Sequence, residues 1–168
     1  MVDLFGFDDE EHIGRSAHIS TCGRYRYSLH RRWCGGDGRT VCFVMCNPST
    51  ADGLVDDPTI RRCISFARAW GYSVLCVRNL FCLRATDPAE LMTAADPIGP
   101  DGDVELVEAK TADLLVAAWG AIALPHRRDQ VALEMFAGKP LYVLALTKHG
   151  KPRHPLYVKG DAQPILWR

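Results

Sequence analysis

From residue 40 onward, short apolar runs alternate with amphipathic stretches. Thr40–Cys46 is apolar at nearly every position and stops abruptly at Asn47-Pro48. Ser73–Val77, Asp113–Gly120 and Pro140–Leu146 are further runs of the same kind. Uninterrupted runs of this length suit strands covered on both faces. Between the first two, Ile60, Cys63, Ile64, Ala67 and Trp70 recur at helical spacing within Thr59–Trp70. Asp57 is placed to cap that helix, Pro58 takes its first position and Gly71 ends it. Asp87-Pro88 opens a short helix through Met92, Asp103–Thr111 reads as another, and Val131, Ala132, Met135 and Phe136 mark the apolar face of a helix over His126–Ala137. Upstream, Arg24–Trp33 alternates in part and is rich in aromatics, which predicts a strand. The turn signal Gly35-Gly36-Asp37-Gly38 then predicts a hairpin with Thr40–Cys46. Residues 1–20 read as a loosely held leader and 21–168 as a single domain. The alternation predicts an α/β fold: a three-layer sandwich around a mainly parallel four-stranded sheet with an N-terminal β-hairpin and right-handed crossovers.

Composition narrows the class. With 168 residues the chain is long enough for one real core. No run is long enough to span a bilayer, and Met1-Val2-Asp3-Leu4 has no basic leader segment, so a cytoplasmic protein with no membrane partner is expected. Formal net charge is zero, so no global field draws the chain to nucleic acid. Its distribution is uneven: residues 1–20 hold five acids and one Arg, whereas residues 121–168 hold eight Lys or Arg and three acids. The basic C-terminal third suits contact with phosphates. The cysteines number seven, sit mostly inside apolar runs and form no C-x-x-C pair. Reduced, packed thiols are expected, and no metal or cofactor.

In a parallel sheet the strand ends share one rim, where ligands bind. Four polar signatures fall there: Asn47-Pro48, Arg78-Asn79, Trp119-Gly120 and, past the fourth strand, His154-Pro155. Asn47 can orient a water, or can simply close its own turn before Pro48. Asn79 offers a donor and an acceptor, suited to a nucleobase edge, and between apolar neighbours it is costly unless paired. His154, held in Pro152-Arg153-His154-Pro155, can donate to a developing anion. Asp52, Asp56 and Asp57 cluster after Asn47; Asp57 reads chiefly as the helix cap, leaving Asp52 or Asp56 to assist a water. Ser49, Thr50, Arg61, Arg62, Lys148, Lys151 and Arg153 are candidates for phosphate contacts.

Taken together, Phe43–Asp52, Asp56–Cys63, Arg78–Pro88 and Arg153–Tyr157 resemble the DUF1643 family of bacterial and phage proteins over about residues 22–160. The order of motifs is also similar, more distantly, to the uracil-DNA glycosylase superfamily. That resemblance implies a glycosylase-like fold and a monofunctional DNA glycosylase: Asn47 positions water, Asn79 reads the base with Pro48, Phe81 and Trp119 around it, and His154 stabilises the departing base. The implied partner is DNA, single- or double-stranded, with the target base flipped out, and a monomer suffices. Leu156-Tyr157 stands where Ser-Pro usually follows His-Pro, and Asn47 where the uracil-removing enzymes carry Asp, which implies weaker water activation unless Asp52 or Asp56 compensates. The base itself is left open: uracil, mismatched thymine and hypermodified phage bases are all compatible, in phage defence or base repair. A nucleotide-processing enzyme and a non-catalytic nucleic-acid-binding module are the alternatives.

Overall fold

A computed structural model describes residues 12–87, 89–121 and 127–168. Seven strands form one mixed sheet: β1 (His12–Ile19), β2 (Arg26–Trp33), β3 (Thr40–Met45), β4 (Val74–Asn79), β5 (Leu114–Ala117), β6 (Leu141–Val143) and β7 (Ile165–Leu166), in the order β1-β2-β4-β3-β5-β6-β7. The helices are α1 (Pro58–Ala69), α2 (Glu90–Thr93), α3 (Gly102–Val107) and α4 (Arg128–Met135). β4, β3, β5 and β6 are mutually parallel; β2 and β7 flank them antiparallel, and β1 pairs antiparallel with β2 at the outer edge.

The apolar runs are apolar throughout because both faces are covered. Val41, Phe43 and Met45 of β3 pack with Ile60, Cys63, Ile64 and Ala67 of α1. Cys42 and Val44 face the other way, toward Leu91 of α2, Leu106 of α3 and Ala132 of α4. Each large apolar side chain buried this way contributes about 1.5–3 kcal/mol. Local signals place α1 as expected: the Asp57 carboxylate accepts the Ile60 N–H at 2.8 Å, Pro58 opens the helix and Gly71 follows it at φ +82°. The start of the fourth helical stretch at His126, and Pro88 ahead of the second, lie outside the described residues.

The sheet departs from expectation in three places. It has seven strands where four were expected. Residues 12–19, expected in the leader, form the edge strand β1. β2 and β3 do not make a hairpin: β4 lies between them, antiparallel to β2 and parallel to β3. The glycine-rich stretch is a wide connection that packs on the turn before β4. Asp37 N–H donates to the Gly71 carbonyl, Gly38 N–H donates to Ser73 Oγ, and a Cβ on Gly36 would meet the Gly71 carbonyl at 2.8 Å. The hairpin that does form joins β1 to β2.

The strand order reverses direction at β3, so β3 and β5 flank a topological switch point. The carboxyl ends of the parallel strands share one rim. Because β2 runs antiparallel, its first residue, Arg26, reaches that same rim, with its N–H on the Cys82 carbonyl.

Candidate functional site

A cavity of about 770 Å³ opens at this rim on the α1 side of the sheet. It is lined by Asn47, Asn79, Trp119, Gly120 and His154, so all four polar signatures converge on it. Ser49, Asp57, Arg26, Arg153 and Tyr157 add to its polar wall. Its volume lies within the range of small-molecule sites, about 300–1,000 Å³.

Asn79 ends β4, in register with Met45 of β3. It is 1% exposed, and neither its Nδ2 nor its Oδ1 has a hydrogen-bond partner. An unpaired buried amide costs about 1–3 kcal/mol, and this one lines the cavity with both its donor and its acceptor unmet. Asn47 is the opposite case on one side only. Its Nδ2 donates to the Ala85 carbonyl at 2.8 Å and to the Pro48 carbonyl at 3.1 Å. Two carbonyls hold both amide protons, which fixes the rotamer and leaves Oδ1 as an acceptor.

His154 caps a short 3-10 turn, Pro155–Tyr157, where its Nδ1 accepts the Leu156 N–H at 3.3 Å. Nδ1 as acceptor places the proton on Nε2. Burial lowers the imidazole's pKa, with Asp57 acting weakly in the opposite direction. The ring is therefore held as a neutral Nε2–H donor. Gly120, at φ +85°, lets the chain turn beneath it; a Cβ there would come within 3.8 Å of the His154 Cβ. Trp119 is buried edge-on to Trp167, with its indole N–H unpartnered. Cys46 also lines the cavity, but burial pushes its thiol up to about 11, so it is a protonated wall rather than a nucleophile.

Several expected residues lie elsewhere. Asp52 turns inward on its own loop, where Oδ1 accepts the N–H groups of Leu54 and Val55, and these bonds lower its pKa. Asp56 is ion-paired with the fully buried Arg31. Neither lines the cavity; Asp57 does, with one oxygen on the helix cap. Phe81 is fully buried in the core, where its N–H continues the β3–β4 ladder onto the Cys46 carbonyl. Pro48 sits behind Asn47, its carbonyl taken by Asn47 and the Ala85 N–H. Of the phosphate candidates, Ser49 and Arg153 reach the cavity wall, whereas Thr50 and Lys148 are exposed away from it. Arg61 donates to the Asp56 carbonyl, Arg62 to the Val158 carbonyl, and Lys151 pairs with Asp129.

Sequence reasoning missed Arg26 and Tyr157. Tyr157 is 75% exposed at the mouth, its ring 5.8 Å from that of His154. An aromatic two residues after the His-Pro pair was the available signal. Arg26 had a weaker one, a charge inside an aromatic strand.

Among the described residues, no group of three or more His, Cys, Asp or Glu is placed to hold a metal, and no helix is long and apolar enough to cross a membrane. No curated protein and no solved structure shows significant similarity to the chain. The model of the family described as "Protein of unknown function (DUF1643)" matches residues 26–156, and the chain belongs to that family.

Proposed function

We propose that the protein is a DNA glycosylase-like enzyme that hydrolyses the N-glycosidic bond of a flipped, hypermodified base, in phage defence or base repair. The observation that carries this is Asn79: a buried carboxamide whose donor and acceptor are both unmet, facing a cavity. A nucleobase edge presents the complementary pair, and enzymes that act on a base extrude it into such a pocket. The arrangement of Asn47, Asn79, Trp119-Gly120 and His154 around one cavity also supports the resemblance to the uracil-DNA glycosylase superfamily, from which their roles are taken.

In the proposed reaction, Asn47 Oδ1 accepts a hydrogen bond from a water. That water attacks the sugar carbon of the glycosidic bond, and its proton passes to the free oxygen of Asp57, which takes the part expected of Asp52 or Asp56. The bonding pair leaves with the base nitrogen, and the neutral His154 Nε2–H donates to the anion that develops on the base. Only water is consumed. The partner is DNA, with Arg153 and Ser49 at the cavity mouth and Lys148 beyond it.

Incubation with DNAs carrying uracil, mismatched thymine and phage-type modified cytosines, followed by an assay for abasic sites, tests the proposal. Release is expected from at least one. Asn47→Ala should lower it by about 10²–10⁴-fold with DNA binding retained. No release from any substrate would sink the enzymatic reading.

The zero net charge and the volume of the cavity favour one second reading, a nucleotide-processing enzyme of modified-base metabolism. A steep salt dependence of duplex binding would argue against it.

A further inference from the structure

β2 begins with a bulge. His18 of β1 pairs with Ser28 and the next residue, Ile19, pairs with Arg26, so Tyr27 is an extra residue on β2. A bulge re-aims the side chains beside it and is common next to functional sites. Here Tyr27 packs with Cys42, Val44 and Leu80 on one side of the sheet, and Arg26 lines the cavity on the other, with Met45, Val77 and Asn79. Without the extra residue the two would exchange faces.

Arg26 is 2% exposed, yet its guanidinium is poorly matched. One NH group donates to the Ala51 carbonyl at 2.6 Å, while Nε is buried with no partner. Among the described residues Arg26 forms no ion pair. Burial pulls its pKa down to about 10; Asp57 favours the charge, whereas Arg84 and Arg31 oppose it. Arg26 is still a cation at neutral pH. The nearby Asp57 already gives one oxygen to the α1 cap, and Asp56 is committed to Arg31. A buried cation is ordinarily paired, and this one borders a cavity that also holds the unmet Asn79 carboxamide.

We infer that the cavity takes a ligand bearing an anionic oxygen group, a carboxylate or a phosphate, seated on Arg26 while Asn79 holds the base edge. This rests on the base-pocket reading and narrows its substrate class to acidic bases or nucleotides. A guanidinium meets either group through charge-assisted, paired N–H donors. The size of the cavity leaves room for such a substituent beside a base.

Calorimetric titration with two ligand pairs, uracil against carboxyuracil and uridine against uridine monophosphate, decides it. The anionic member of one pair should bind about ten- to a hundred-fold more tightly, the worth of a hydrogen bond to a charged group. Preference within the first pair places the anion on the base; preference within the second places it on the nucleotide. Arg26→Lys should keep part of the discrimination and Arg26→Gln should lose it. Equal affinity within both pairs, binding of neither, or discrimination that survives in a folded Arg26→Gln overturns the inference. Should Arg26→Gln not fold, the wild-type pairs decide alone. Base release from DNA is a separate readout. Release of a neutral base with no anion preference overturns this inference and leaves the glycosylase intact, whereas anion-selective binding with no release from any DNA does the reverse.

Discussion

Two arginines five positions apart on β2 are both buried, and they live differently. Arg31, at 0% exposure, is satisfied: Nε and NH2 meet the Asp56 carboxylate at 2.8 and 2.7 Å, and further N–H groups donate to the carbonyls of His30 and Asp52 at 2.9 and 2.7 Å. It ties the loop after β3 to the sheet. Arg26, at 2%, has one carbonyl, an orphaned Nε and a cavity. Burial alone therefore does not separate scaffold from site; the balance of donors and acceptors does. The same contrast divides the loop's carboxylates. Asp52 and Asp56 are consumed by the fold, whereas Asp57 caps α1 and still faces the cavity.

The largest expected effect breaks the scaffold side of this contrast. Arg31→Met removes the fully buried cation that pairs with Asp56, together with its carbonyl contacts, and should cost about 3–5 kcal/mol of unfolding free energy by chemical denaturation. Arg26→Met removes a cation that the fold scarcely uses and should stay within about 1 kcal/mol of the wild type, the lost Ala51 contact offsetting the relief of an unpaired charge. Equal losses from the two substitutions would erase the distinction between them.

A smaller effect sharpens the site side. Burial holds the His154 pKa below its ordinary value near 6.5 in the folded chain. The unfolded chain then binds the extra proton first, so stability falls as pH drops from about 6.5 through the lowered folded value. His154→Asn keeps a capping side chain for the 3-10 turn and removes the titration. Its thermal midpoint should fall less steeply than that of the wild type over this acid window, as followed by circular dichroism. Parallel curves would mean that the imidazole is not held neutral by its surroundings.

What could be read from the chain alone divides by range. The Asp57-Pro58 start of α1 was legible because capping is local, and the four parallel strands because their apolar runs need cover on both faces. The rim followed from strand direction, which brought Asn47, Asn79, Trp119 and His154 to one cavity. Pairing over distance was not legible. Nothing in Gly35–Gly38 says that β4 will enter between β2 and β3. Nothing in Asp52–Asp57 says that Arg31 will claim Asp56 across 25 residues, which decides the carboxylate left for the cavity. The Tyr27 bulge, which turns Arg26 inward, depends on β1, whose residues read as a leader.

In the proposed function, Asn79 is unsatisfied in the free protein because a base edge completes it. The direct measurement is the side-chain amide resonance of Asn79 in a 15N-labelled protein, assigned by its loss in Asn79→Leu and followed as free nucleobases and nucleotides are added. A saturable shift of that resonance, absent when a cyclic ligand lacking a paired donor and acceptor is added, is the expected result. A resonance that stays fixed through every addition, or that is protected against a protein partner before any ligand is present, would contradict it.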